Sequence, residues 1–132
     1  MASIIKQIQI DAPADAVWDA VSDFGAVHRR LAPGFVTDVT LEPDARLVTF
    51  ASGRVFRELF LGSDPKARRL AYSIRDEMFS HHNASFLVED AGPGQTRLTW
   101  TADVLPDEIA PTVAGMMAQG LAVAQKALAA PS

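Results

Sequence analysis

Apolar and polar positions alternate from the start of the chain. In "SIIKQIQI" (3–10), Ile4, Ile8 and Ile10 share one face and Gln7 and Gln9 the other, which predicts a first strand broken only by Ile5. The period then lengthens. In "DAPADAVWDAVSDF", Val17, Val21 and Phe24 recur at helical spacing with Trp18 beside the stripe. Asp11 is placed to cap this short amphipathic helix, Pro13 suits its first turn, and Asp15 brings negative charge to its start. "AVHRRLAPG" predicts a second short helix stopped by Pro33 and Gly34, with His28 at its surface beside Arg29 and Arg30.

From 35 to 105 the pattern is short strands between turn signals. "FVTDVTLE", "RLVTFAS", "RVFRELFLG", "RRLAYSIRDE", "HHNASFLVED" and "TRLTWTADVLP" are separated by Pro, Gly, Asp and Ser clusters. Connections this tight predict a sequential antiparallel meander, because parallel pairing needs long crossovers. "DEIAPTVAGMMAQGLAVAQKALAA" then reads as a helix of roughly six turns at about 3.6 residues per turn. Pro111 falls in its first turn or just beyond, which implies a kink or a late start. The expected fold class is α+β: a curved seven-stranded antiparallel sheet closed by the long C-terminal helix, with two short helices between strands 1 and 2. The apolar stripe Val113, Met117, Leu121, Ala124 and Leu128 would face the sheet. Around it stand Gly115, Met116, Ala118, Gly120 and Ala122, mostly small or flexible, and side chains of this kind over a curved sheet predict an unfilled hollow.

Three strands can be phased from their own patterns. Leu98, Trp100, Ala102 and Val104 alternate with Thr99, Thr101 and Asp103; Leu70, Tyr72 and Ile74 alternate with Arg69, Ser73 and Arg75. Ala84, Phe86 and Val88 set the inner face of the next strand, and stepping back by two puts His82 inside and His81 outside. The strand "RVFRELFLG" does not phase, because both alternate sets mix charged and apolar residues.

Bulk properties narrow the chemistry. The 132 residues suit a single domain, and the formal charge of −4 gives no electrostatic reason to expect nucleic acid. No cysteine is present, so disulfides, thiolate metal sites and cysteine nucleophiles are excluded. Three histidines without an i,i+4 pair give no zinc signature, and no phosphate loop, nucleophile elbow or dinucleotide fingerprint occurs. No metal or cofactor is expected. No stretch reads as a signal peptide or a bilayer-crossing segment, and a cytoplasmic location is the default.

Four segments carry a family likeness: "IDAPADAVWDAVSDF" (10–24), "FRELFLGSDPKARRLAYSI" (56–74), "NASFLVEDAGPGQTRLTW" (83–100) and the terminal helix. Together they resemble the helix-grip fold of the SRPBCC, or START-like, superfamily, on the polyketide cyclase/dehydratase-like branch. The resemblance spans nearly the whole chain. It implies that the glutamate of the "R-E-x-L" motif, Glu58, faces the pocket, with Tyr72 and Ile74 in its wall. Where related receptors carry a tyrosine two residues before a small residue, this chain has His82 before Ala84, and the receptors' long gating loop is replaced by "FASGRV".

Combined with the phasing, this places Phe56, Glu58, Tyr72, Ile74, His82, Ala84, Phe86, Trp100, Met117 and Leu121 around the expected ligand. Glu58 either lines the pocket, where burial would raise its pKa, or faces solvent or pairs with an arginine such as Arg54 or Arg57. His82 could donate and accept through its two nitrogens, or sit hydrated at the cavity mouth. Tyr72 and Trp100 read as aromatic wall, Met116 and Met117 as adaptable lining. The expected partner is a small hydrophobic ligand, with no nucleic acid and no membrane insertion, bound by a bacterial-type monomer or homodimer. An alternative is a cyclase/dehydratase-type enzyme with Glu58 and His82 as base and acid. A third is a protein-partner role, as in co-chaperone or quinone-binding relatives.

Overall fold

A computed structural model describes residues 1–131. Strand β1 (Ala2–Ile10) leads to helix α1 (Ala14–Val21) and a π-helical turn (Val27–Leu31). Strands β2 (Val36–Glu42), β3 (Ala45–Phe50), β4 (Val55–Asp64), β5 (Arg69–Arg75), β6 (His81–Asp90) and β7 (Thr96–Leu105) follow. A 3₁₀ turn (Asp107–Ile109) opens into helix α2 (Ala110–Leu128). The seven strands form one antiparallel sheet in the order β1-β7-β6-β5-β4-β3-β2, so the meander is closed back by β1 against β7. This is the expected helix-grip arrangement. Register shifts between Val36 and Asp38 and between Phe60 and Gly62 mark bulges, which bend the sheet.

Alternation produces the strands. In β1, Ile4 and Ile10 are buried while Ile5 is 63% exposed, so the residue that broke the pattern is the one turned to solvent. The faces expected for β5, β6 and β7 hold: Leu70, Tyr72, His82, Phe86, Val88, Leu98, Ala102 and Val104 are buried. Ser73 departs from its expected exposure. It lies on the outer face yet is buried, and its hydroxyl donates to the His82 carbonyl; Thr99, on the outer face of β7, is likewise buried.

Helix α1 buries Ala14, Val17, Ala20 and Val21, but Asp11 does not cap it. Pro13 occupies the cap position, with no side-chain cap bond, and Asp15 in the first turn pairs with Arg68 at 2.6 Å. The second short helix is a five-residue π turn that ends at Leu31, before Pro33 and Gly34. His28 is not on the surface there. It is half-buried, and its enclosed Nδ1 has no hydrogen-bond partner among the described residues.

Pro111 gives α2 a late start, after the 3₁₀ turn. The stripe Val113, Met117, Leu121 and Ala124 is buried as expected, and Leu128 partly so. The small residues are not all on that face: Gly115, Ala118 and Ala122 face solvent, and only Gly120 is buried. Size alone does not tell which side of a helix a residue occupies. The helix is anchored at one edge of the sheet, where Gln125 Nε2 donates to the Gln9 carbonyl at 2.8 Å and the Ala130 amide to the Asp11 carbonyl at 2.7 Å. It lies closest to β1, an edge strand of the sheet. Among the described residues no helix is long and apolar enough to cross a membrane.

Candidate functional site

Because α2 is held against β1, the inner faces of β3 to β6 stay uncovered at close range, and a hollow remains between sheet, helix and π turn. It measures about 70 Å³ as the space open to water centres. That is room for roughly five waters at the ~10–15 Å³ each needs on that measure. Most of its lining is apolar; the lining residues with polar side chains are Arg46, Glu58, Tyr72, His82 and Trp100.

Strand β4, unphased by its own pattern, turns Phe56 and Glu58 inward, with Arg54 and Arg57 exposed. Glu58 sits opposite Arg46 in the β3–β4 register. Arg46 Nε and Nη2 reach Glu58 Oε1 at 2.9 and 2.8 Å, with both side chains about 5% exposed. Thus Glu58 both lines the hollow and pairs with an arginine, but that arginine is Arg46. The guanidinium also donates through Nη1 to the Phe24 carbonyl at 3.1 Å and lies 3.9 Å from the Phe24 ring centroid. Burial pushes the Glu58 carboxyl above the ordinary carboxylate range, and the Arg46 cation pulls it back.

Arg46 was not singled out from the sequence, although its signal was there. It falls in phase with Val48 and Phe50, the buried and half-buried positions of "RLVTF". Phe35, Phe50 and Phe79, which also line the hollow, were likewise missed.

His82 stands where β5 and β6 part, just beyond the last paired residues, Tyr72 and Ala84. The Ile74 amide donates to His82 Nδ1 at 2.9 Å. With that lone pair occupied, the neutral ring carries its hydrogen on Nε2. Burial lowers the imidazole pKa to about 4. At neutral pH His82 is therefore a donor through Nε2, and the expected use of both nitrogens toward a ligand is corrected: Nδ1 is engaged by the backbone. The ring is buried, not hydrated at a mouth.

Tyr72 accepts a hydrogen bond from Trp100 Nε1 at 3.1 Å. Burial, reinforced by the Glu58 charge, raises the phenol pKa far above its usual value, so its proton stays on. Tyr72, Phe86 and Trp100 form a row of near-parallel rings across β5, β6 and β7, with interplanar angles of 23° and 27°. The Tyr72 and His82 centroids are 5.8 Å apart. Ile74, Met117 and Leu121 complete the wall with the residues above. Ala84 is buried but does not border the hollow. Glu58 and His82 each engage a different partner, and no hydrogen bond joins them.

A family model described as "Polyketide cyclase / dehydrase and lipid transport" matches residues 1–130. No curated protein matches the sequence. Among solved structures, an uncharacterised protein from Bacillus thuringiensis is similar at 20% identity and TM-score 0.86, over 96% of this chain and 98% of that one. The di-domain ARO/CYC BexL from the BE-7585A biosynthetic pathway is similar at 18% identity and TM-score 0.82, over 97% of this chain and 46% of its own. Norcoclaurine synthase from Thalictrum flavum, in complex with dopamine and hydroxybenzaldehyde, is similar at 19% identity and TM-score 0.70, over 95% and 84%.

Proposed function

The chain belongs to the polyketide cyclase/dehydrase and lipid transport family, and from that premise we propose that it holds one small, largely apolar molecule in the hollow between sheet and α2. The observation that carries this reading is the hollow itself: about 70 Å³ of space with an aromatic row along one wall and few polar side chains. Affinity comes from apolar surface removed from water, at about 25 cal/mol per Å² before the costs of association. Its size suits a ligand with one or two rings. The single-ring molecules in the norcoclaurine synthase structure support that scale for this fold.

The site favours holding over turnover. A general base needs a free lone pair on a group near the reacting proton. Nδ1 of His82 is occupied by an amide and its Nε2 is protonated, so the imidazole has no lone pair to offer, and the one carboxylate of the lining, Glu58, faces the Arg46 cation through Oε1. The test is native mass spectrometry and calorimetry with indane, a bicyclic hydrocarbon without polar atoms. A one-to-one complex, accompanied by a change in Trp100 fluorescence in a Trp18→Phe background, is expected. Absence of saturable binding up to millimolar indane would remove the reading.

A further inference from the structure

The polar groups around the hollow differ in what they have left to offer. Glu58, the one carboxylate, meets Arg46 through Oε1, and the pair adds no net charge when both are ionised. Trp100 Nε1 has already given its hydrogen to Tyr72. Two donors remain. The Tyr72 oxygen receives the indole N–H, and its own hydrogen meets no acceptor among the described residues. His82 accepts at Nδ1 from Ile74, which leaves Nε2–H as its remaining polar function. The two rings are neighbours on β5 and β6, tilted by 40°, and both border the same space.

We infer that the site selects neutral ligands whose buried end carries a hydrogen-bond acceptor, such as a ring carbonyl or ether oxygen, received by the Tyr72 hydroxyl and His82 Nε2–H. An anionic end would be placed near Glu58 without a free cation to balance it. An amine would give up its hydration to meet a carboxylate whose charge is already balanced by a guanidinium at 2.8 Å. A hydroxyl oxygen accepts as well, but it brings a hydrogen of its own that must also be paired. Buried donors left unpaired are costly, so a site built this way binds ligands lacking the acceptor more weakly than those that carry it.

This rests on the cavity reading, and the experiment separates the two. Three probes of one shape are compared by calorimetry: indan-1-one, indane and 2-aminoindane. Indan-1-one is expected to bind about tenfold more tightly than indane, the gain of roughly two buried hydrogen bonds, and 2-aminoindane more weakly than either. In His82→Phe the ratio of indan-1-one to indane affinity is expected to fall severalfold. Equal affinities for indan-1-one and indane, or tightest binding of 2-aminoindane, would overturn the donor assignment and leave the cavity reading standing. Binding of none of them would overturn both. A ligand-free measurement keeps the inference testable should the variant not fold: nitrogen-15 NMR of the wild-type protein at pH 7 is expected to show His82 protonated at Nε2 with a pyridine-like Nδ1. The opposite tautomer would refute it.

Discussion

His82 links local bonding to a measurable property of the whole fold. Its ring takes a proton near 6.5 in the unfolded chain but only near 4 in the fold. Between these values the unfolded state binds the additional proton, so this contribution to stability is complete above about pH 6.5 and is lost as the pH falls toward 4. By pH 4.5 the loss should reach about 2–3 kcal/mol. Glu58 acts in the opposite sense, because its folded form keeps a proton to higher pH than the unfolded one, and acidification through that range favours the fold. Comparing wild type with His82→Gln by denaturant titration at pH 7 and 4.5 cancels the Glu58 contribution. The wild type should lose more stability on acidification than the variant; equal losses would mean that the ring titrates as if exposed. The inward position of His82 was legible, since period-2 alternation carried it. Its tautomer was not, because an amide eight residues away in sequence fixes it. Arg46 shows the same limit in another form. A charged residue in phase with Val48 and Phe50 reads as an error until the opposing strand is known to place Glu58 beside it.

At the scale of elements, α2 separates two glycines that a sequence treats alike. A methyl group on Gly115 would meet nothing within 4 Å, whereas one on Gly120 would come within 3.2 Å of Trp100 Cζ3 and 3.3 Å of Phe35 Cε2. Replacing glycine by alanine in a helix interior is worth about 0.8–1 kcal/mol. Gly115→Ala should therefore raise stability by about 1 kcal/mol, seen as roughly 4 °C in the melting temperature. Gly120→Ala should gain less, because Trp100 and Phe35 have to give, and it should weaken indane binding as Trp100 is pressed toward the hollow. A Gly120→Ala protein as stabilised as Gly115→Ala, with unchanged binding, would show that helix and sheet are not in close approach there. The strands were legible because alternation, turn residues and tight spacing agree. Strand β4 was not. Its buried face contains a charge neutralised by a neighbouring strand, and its outer face carries Val55 and Leu61, each 48% exposed. Both sets look mixed, so only the family likeness pointed to Glu58.

For the molecule as a whole, the hollow is a stability cost maintained by the way the fold is assembled. Helix α2 is tied through Gln125 to β1, and the Ala130 amide beyond its end to Asp11 just past that strand, and the space beside it is left with fewer contacts than a filled core provides. Proteins are rarely at their stability optimum, and filling a functional hollow exposes the trade. Ala102 is a suitable place to try it. It lies on β7, is 1% exposed, borders the hollow, and faces another small residue, Ala84, across the β6–β7 register. Valine there adds two methyl groups without a polar atom and suits a strand. At about 0.8 kcal/mol per buried carbon, Ala102→Val should stabilise the protein by roughly 1–1.5 kcal/mol while lowering affinity for indane and indan-1-one together. The common loss matters, because it separates lost space from lost hydrogen bonding: His82→Phe changes the ratio of the two affinities, and Ala102→Val should leave that ratio alone. A destabilised Ala102→Val protein that still binds both probes would mean that this wall is already packed and that the open volume lies elsewhere, which would detach the hollow from the donors assigned to it.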